Sequence, residues 1–199
     1  MATLNRGRRD AIKRIAVSAT AGAGLISASA FVAAAQSYSR SREPHAAAGL
    51  VFDRLQMQAL AILGDWIIPE TDTKGAYAAD AHGLVDHLLH QCYASVDQAL
   101  ARLCVDAFHR ELDAVASRDA GVLGEVGSFR QYALMNALES GQTPFDAQTR
   151  QGYLELKSLV VFAYFTSKIG ATRALRYIAY PGKFVASISL DENARADYR

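Results

Sequence analysis

The sequence predicts an all-α fold, a small helical bundle that ends in an irregular, extended C-terminal tail and is preceded by an export signal. Three observations predict it. Apolar residues recur at steps of three and four through most of residues 50–175, as buried helix faces require. Helix-stopping residues, Pro69 and Gly141 among them, close the periodic runs. Beyond residue 183 the period changes to two, which is that of an extended chain. With 199 residues and 51% of them apolar, the chain can fill the core of a single domain. The expected division is a signal over residues 1–35, a flexible leader over 36–49, and a helical domain over 50–199 whose tail occupies 177–199.

The first helix carries Phe52, Leu55, Ala59, Leu63, Trp66 and Ile67 as its buried stripe. Pro69 ends it, because the residue before a proline is pushed out of helical angles. Residues 70–75 are turn material, with Asp72 between two threonines expected to order the turn backbone and Asp65 expected on the polar side of the helix. Asp80 is the expected N-cap of a helix from Ala81 to about Tyr93, which has Leu84, Val85, Leu88, Leu89 and Cys92 inside and His82, Asp86, His87 and His90 on the opposite side, a solvated or partner-facing surface. A third helix runs from Ser95 to Ala116 with Val96, Leu100, Leu103, Ala107, Leu112 and Val115 buried, and residues 117–121 turn the chain. Residues 129–139 form the next helix, closed by Gly141. Thr143 is the expected cap of the following one, with Pro144 in first position and Asp146 completing the box. Its stretch 154–165 is apolar almost all round, which predicts the central helix of the bundle. Gly170 ends a short extension, and residues 171–177 add up to two turns. Pro181-Gly182 suits a type II turn, and Phe184, Ala186, Ile188 and Leu190 alternate with Val185, Ser187 and Ser189 in a segment suited to a groove or a partner.

The overall charge of +1 is unevenly spread. Residues 1–35 carry Arg6, Arg8, Arg9, Lys13 and Arg14 against Asp10, a net of +4, which leaves −3 for the rest. The remainder has no basic stripe of the kind nucleic acid requires. Arg8-Arg9-Asp10-Ala11-Ile12-Lys13 resembles the twin-arginine export motif, with Arg8, Arg9 and Lys13 as its charged residues. An uncharged, mildly apolar run over residues 15–35 follows and ends in Ala33-Ala34-Ala35, a small-x-small site that a signal peptidase cuts before Gln36. The competing reading is a retained membrane anchor, since the run is long enough to span a layer of about 30 Å, but Gly22, Gly24 and its serines disfavour that. Ala21-Gly22-Ala23-Gly24 lacks the preceding strand and third glycine of a dinucleotide loop.

Chemistry is sparse. His82, His87 and His90, with Asp86, are the one cluster of metal-ligand types, and no fourth ligand suggests itself. Cys92 and Cys104 would lie about 18 Å apart on one continuous helix, so they bridge only if the chain folds back between them, and two free thiols are the alternative. Tyr164-x-x-x-Lys168 copies a dehydrogenase pair without the nicotinamide fold that pair needs. Asp65, Glu70 and Asp72 group three carboxylates within eight positions, a pattern better suited to turn structure than to acid–base work. Trp66, the sole tryptophan, sits beside the turn as a possible interface anchor.

Asp65-x-Ile67-Ile68-Pro69-x-Thr71-Asp72-Thr73-x-Gly75-Ala76, continued by Tyr164-Phe165-Thr166-Ser167-x-Ile169-Gly170-Ala171 and by Arg176-Tyr177 with Pro181-Gly182-Lys183, resembles the small subunit (subunit 3) of membrane-bound gluconate 2-dehydrogenase and related flavin-dependent sugar and polyol dehydrogenases. The resemblance spans roughly residues 50 to 190. It implies a non-catalytic chain with no cofactor or metal of its own, bound to a large FAD-containing dehydrogenase subunit. A multihaem cytochrome c subunit, carrying haem c, would be an indirect partner. The chain would help the large subunit mature and carry it through the twin-arginine translocase to the periplasm, where the complex is membrane-associated. On this reading the partner interface comprises Trp66, Pro69, Thr71, Asp72, Thr73, Gly75, Ile169, Gly170, Tyr177, Pro181, Phe184 and Ile188. The family's C-terminal Gly-Cys-x-Pro-Leu context is absent; Ala186-Ser187-Ile188-Ser189-Leu190 stands there. The alternative is a free-standing periplasmic binding or metal-site protein built on His82, His87 and His90.

Overall fold

The computed structural model describes residues 28–41, 48–119, 127–177, 182 and 197–198. In chain order the helices are α1 (Ala28–Ser41), α2 (Arg54–Ile67), α3 (Ala81–Cys92), α4 (Ser95–Asp119), α5 (Ser128–Ser140) and α6 (Ala147–Thr166). A π-helical turn over Gly170–Ala174 follows, and Arg176–Tyr177 pairs in parallel with Asp197–Tyr198. The fold is the all-α bundle the sequence predicts, with α6 at its centre: α2, α3, α4, α5 and the π turn all pack against it. Leu156, Leu159, Val160, Ala163 and Tyr164 supply the buried side of α6, and each buried aliphatic side chain contributes about 1.5–3 kcal/mol.

The closest crossing is between α4 and α6. A Cβ on Gly152 would stand 2.7 Å from the Leu100 carbonyl oxygen and 3.0 Å from Cys104 Cβ, so only glycine lets the two backbones approach. That approach sets the phase of α4. The buried side of α4 is Ala101, Cys104, Val105, Ala107, Phe108 and Leu112. The expected stripe is corrected accordingly: Val96 is 68% exposed and Leu103 also faces outward. Leu55 is likewise exposed, and α2 buries Ala59, Leu60, Leu63 and Gly64 instead.

Helix ends follow local chemistry. Asp53 caps α2 in a reciprocal box, accepting from the Gln56 N–H while the Gln56 side chain accepts from the Asp53 N–H. Ile68 leaves helical angles ahead of Pro69, as predicted. Gly141 closes α5 at φ 65°, the left-handed position glycine fills without cost. Two caps differ from expectation. Asp146, not Thr143, caps α6 by accepting from Thr149 N–H at 2.7 Å, and Pro144 lies outside the helix on a cis bond. Asp80 stands at the N-cap position of α3, but in the left-handed region and with no capping bond. Its carboxylate faces Tyr38 and His82 instead.

Residues 117–119 continue α4 rather than turning. Residues 36–41, expected to belong to a flexible leader, are helical and continuous with 28–35 across the 35/36 boundary. Gly182 has φ 70°, as the third residue of a type II turn requires. Arg8, Arg9 and Lys13, together with Pro181, Phe184, Ile188 and the rest of the tail apart from 177, 182 and 197–198, lie outside the described residues.

Candidate functional site: the loop after helix α2

The turn after α2 is rigid on its inner side and polar on its outer side. Ala76 N–H donates to the Ile68 carbonyl at 2.9 Å, closing the loop base, and Thr71 N–H donates to the Thr73 carbonyl at 3.0 Å within it. Asp65 is the residue that holds the backbone: its carboxylate accepts from Tyr77 N–H at 3.2 Å. Asp72, expected to do this, is exposed and instead accepts from the Thr71 hydroxyl at 3.0 Å. Gly75 fits because any side chain there would meet Asp65 Oδ1 at 2.5 Å and the Glu70 backbone nitrogen at 2.8 Å.

From the core side, Tyr164 of α6 reaches up into the loop. Its hydroxyl donates to the Lys74 carbonyl at 2.9 Å and lies 3.4 Å from Thr73 Oγ1. A buried tyrosine needs a partner for its O–H, and here that partner is the loop backbone. Of the Tyr164-x-x-x-Lys168 pair, Tyr164 is buried and Lys168 exposed. Gly170 in turn lets the π turn close onto the end of α6, since a Cβ there would collide with the Tyr164 carbonyl and sit 2.8 Å from Phe165 Cα. Two of the sequence blocks, 65–76 and 164–171, are thus joined by Tyr164. That pin was absent from the sequence-based interface set, although a lone hydroxyl on an otherwise apolar helix face is the signal that finds it.

What faces outward is Pro69, Glu70, Thr71, Asp72 and Lys74, with Thr73 half-buried. Glu70 and Lys74 form an exposed ion pair at 2.5 Å, a contact of little energetic weight in water. Ile169 is half-buried against the core and Gly170 is buried. Trp66 points elsewhere. It stacks edge-on against Phe108, ring centres 5.3 Å apart at 88°, and with Ile67, Tyr132, Met135, Tyr153 and Lys157 lines a groove of about 280 Å³ between α2, α5 and α6. Within this groove Lys157 pairs with Glu139 at 2.7 Å, and that bond holds the Glu139 carboxyl below its ordinary range.

The histidine row is corrected. Asp86 and His87 are buried, not solvated. Asp86 accepts three backbone N–H groups, from Leu50 (2.6 Å), Val51 (2.9 Å) and Phe52 (3.0 Å). His87 Nε2 lies 2.8 Å from Ser37 Oγ of α1. His82 stacks on Tyr77 with ring centres 5.6 Å apart and 6° between planes, while His90 is exposed. His82 and His87 lie on either side of the Tyr38–Asp80 pair and His90 stands apart on the surface, and among the described residues no three His, Cys, Asp or Glu side chains group as a metal site needs. Cys92 and Cys104 are free thiols, and burial pushes Cys104 up to about 12, far from the thiolate a reactive cysteine requires.

A family model described as gluconate 2-dehydrogenase subunit 3 matches residues 54–182, from the first residue of α2 to the glycine of the C-terminal turn. No curated protein and no solved structure matches the chain.

Proposed function

This chain belongs to the gluconate 2-dehydrogenase subunit 3 family, and from that premise we propose that it is the non-catalytic small subunit of a periplasmic, membrane-associated, FAD-dependent dehydrogenase. It grips the flavoprotein subunit through the outer side of loop 69–75, helps it mature, and escorts it through the twin-arginine translocase on the signal carried by Arg8, Arg9 and Lys13. FAD belongs to the large subunit and haem c to a cytochrome subunit further along the electron path.

One observation carries the reading. In loop 69–75 the residues that could touch a partner are exposed, while the loop's shape is fixed from behind by Tyr164, Asp65 and Gly75. A surface held in one conformation before binding loses little entropy on association, which is what a recognition loop gains from such buried support. The family match covers the loop and its pin together.

The test is co-purification of the flavoprotein on a tagged form of this chain. Asp72→Arg places a reversed charge on an exposed residue that supports no fold contact beyond Thr71, so it should weaken recovery of the flavoprotein about tenfold without moving the unfolding midpoint. Undiminished recovery would remove the loop from the interface. For the export half, Arg8→Lys with Arg9→Lys should leave both polypeptides in the cytoplasm and abolish dehydrogenase activity at the periplasmic face; unchanged activity there would refute the escort role.

A further inference from the structure

Helix α1 crosses the small-x-small site. We propose that in the folded protein α1 closes the Ala35–Gln36 bond to signal peptidase, so that the signal stays attached until α1 lifts off α3. This rests on the reading of Ala33-Ala34-Ala35 as a processing site.

Cleavage adds water across the Ala35–Gln36 peptide bond, and a protease binds the residues before that bond as an extended strand through their main-chain N–H and C=O groups. Here those groups lie inside a helix over Ala28–Ser41, where N–H and C=O are turned along the helix axis toward one another. The Ala34 carbonyl is engaged a second time, accepting from the Ser37 hydroxyl at 2.8 Å. The same hydroxyl oxygen is hydrogen-bonded to His87 Nε2 at 2.8 Å. The helix is thus tied to α3 immediately beside the bond to be cut.

One face of α1 is also packed down, while Ala33 and Gln36 stay exposed on the other. Ala34 is 7% exposed and belongs to the hydrophobic core, and Ala35 and Tyr38 pack against that core. The Tyr38 hydroxyl donates to Asp80, and its ring lies 5.4 Å from that of His87. Gly83 makes the fit possible, because a Cβ there would collide with the Tyr38 hydroxyl and come within 2.9 Å of Asp80 Oδ1. These contacts also account for two departures from the sequence-based reading. His87 is buried because it faces α1, and Asp80 leaves its capping role because it receives Tyr38. Cutting therefore requires undocking and unwinding of α1, and its rate follows the population of the opened form.

Purified signal peptidase is presented with the full chain and with a synthetic peptide covering residues 27–45, and products are read by intact mass. The expected result is a cut after Ala35 in the peptide and a rate lower by about tenfold or more in the folded chain. Gly83→Ala, and independently Ser37→Ala with Tyr38→Phe, should raise the rate of the full chain several-fold. Equal rates for peptide and folded chain would overturn the closure, as would a slow wild type that neither variant accelerates. A peptide that is not cut would instead remove the processing site itself, and the inference with it.

Discussion

Loop 69–75 and the polar row of α3 are separated by a few residues and look alike in sequence, short polar stretches beside apolar ones, yet they are built in opposite senses. In the loop Glu70, Thr71, Asp72 and Lys74 face water, and the residues that hold it are Asp65, Gly75, Ala76 and Tyr164. In α3 the polar side chains Asp86 and His87 themselves turn inward, onto backbone N–H groups of residues 50–52 and onto Ser37. The difference teaches that polarity does not mark the functional surface of this protein. Buried polar groups here join distant segments of the chain, whereas the surface proposed for a partner is the exposed side of a loop held from behind by Asp65, Gly75 and Tyr164.

The largest effect that would break this contrast is at Asp86. Truncation in Asp86→Ala would strand three N–H donors, one of them on the fully buried Phe52. Each stranded donor costs about 1–3 kcal/mol, so a loss of at least about 3 kcal/mol is expected in urea unfolding. Asp86→Asn retains an acceptor oxygen and should recover part of it. A loss within about 0.5 kcal/mol would mean that the row behaves as surface after all.

Gly75→Ala probes the other side of the contrast. The added methyl has nowhere to go, with Asp65 Oδ1 at 2.5 Å and backbone atoms at 2.8 and 2.9 Å. Overpacking of that kind costs about 1–3 kcal/mol. Because the strain falls on the loop and its Asp65 clamp, flavoprotein recovery should fall further than global stability does. A variant that unfolds early but still binds normally would show that the loop's shape is not what the partner reads.

The same contrast explains what the sequence did and did not disclose. The five helices between residues 54 and 166, the Ile68–Pro69 stop and the Gly141 end were legible because each depends on residues near in sequence, whereas the helix over Ala28–Ser41 was not. The phase of α4 was not. Val96 and Leu103 are the larger aliphatics, but the close approach at Gly152 selects Ala101 and Cys104 for the contact. The inward turn of His87 was equally hidden, because its partner, Ser37, lies fifty residues away in a segment whose composition suggested a leader. Within the candidate site, Pro69, Thr71 and Asp72 of the expected set are exposed while Gly75 and Gly170 are buried, and the partners of Tyr164 and Asp65 lie 90 and 12 positions away, beyond the reach of a local pattern.

A third acid gives the smallest and most discriminating prediction. Glu139 carries its charge at the rim of the Trp66 groove, matched by Lys157 across 2.7 Å, with both side chains more than a third exposed. The bond from Lys157 lowers the Glu139 pKa, so the folded state holds its proton less tightly than the unfolded chain. Its contribution is therefore present above the ordinary glutamate value and is lost as pH falls through the lowered one. The window lies at and below about pH 4.3. In Lys157→Met the acid limb of the stability profile should flatten there, and stability at neutral pH should drop by no more than about 0.5–1 kcal/mol, the solvent having screened most of the pair. Asp86 draws on backbone donors in the interior, and its loss should exceed this severalfold at neutral pH. If Lys157→Met proved as costly as Asp86→Ala, charge pairing rather than burial would separate the protein's acids, and the distinction between inward and outward polar groups would lose its physical basis.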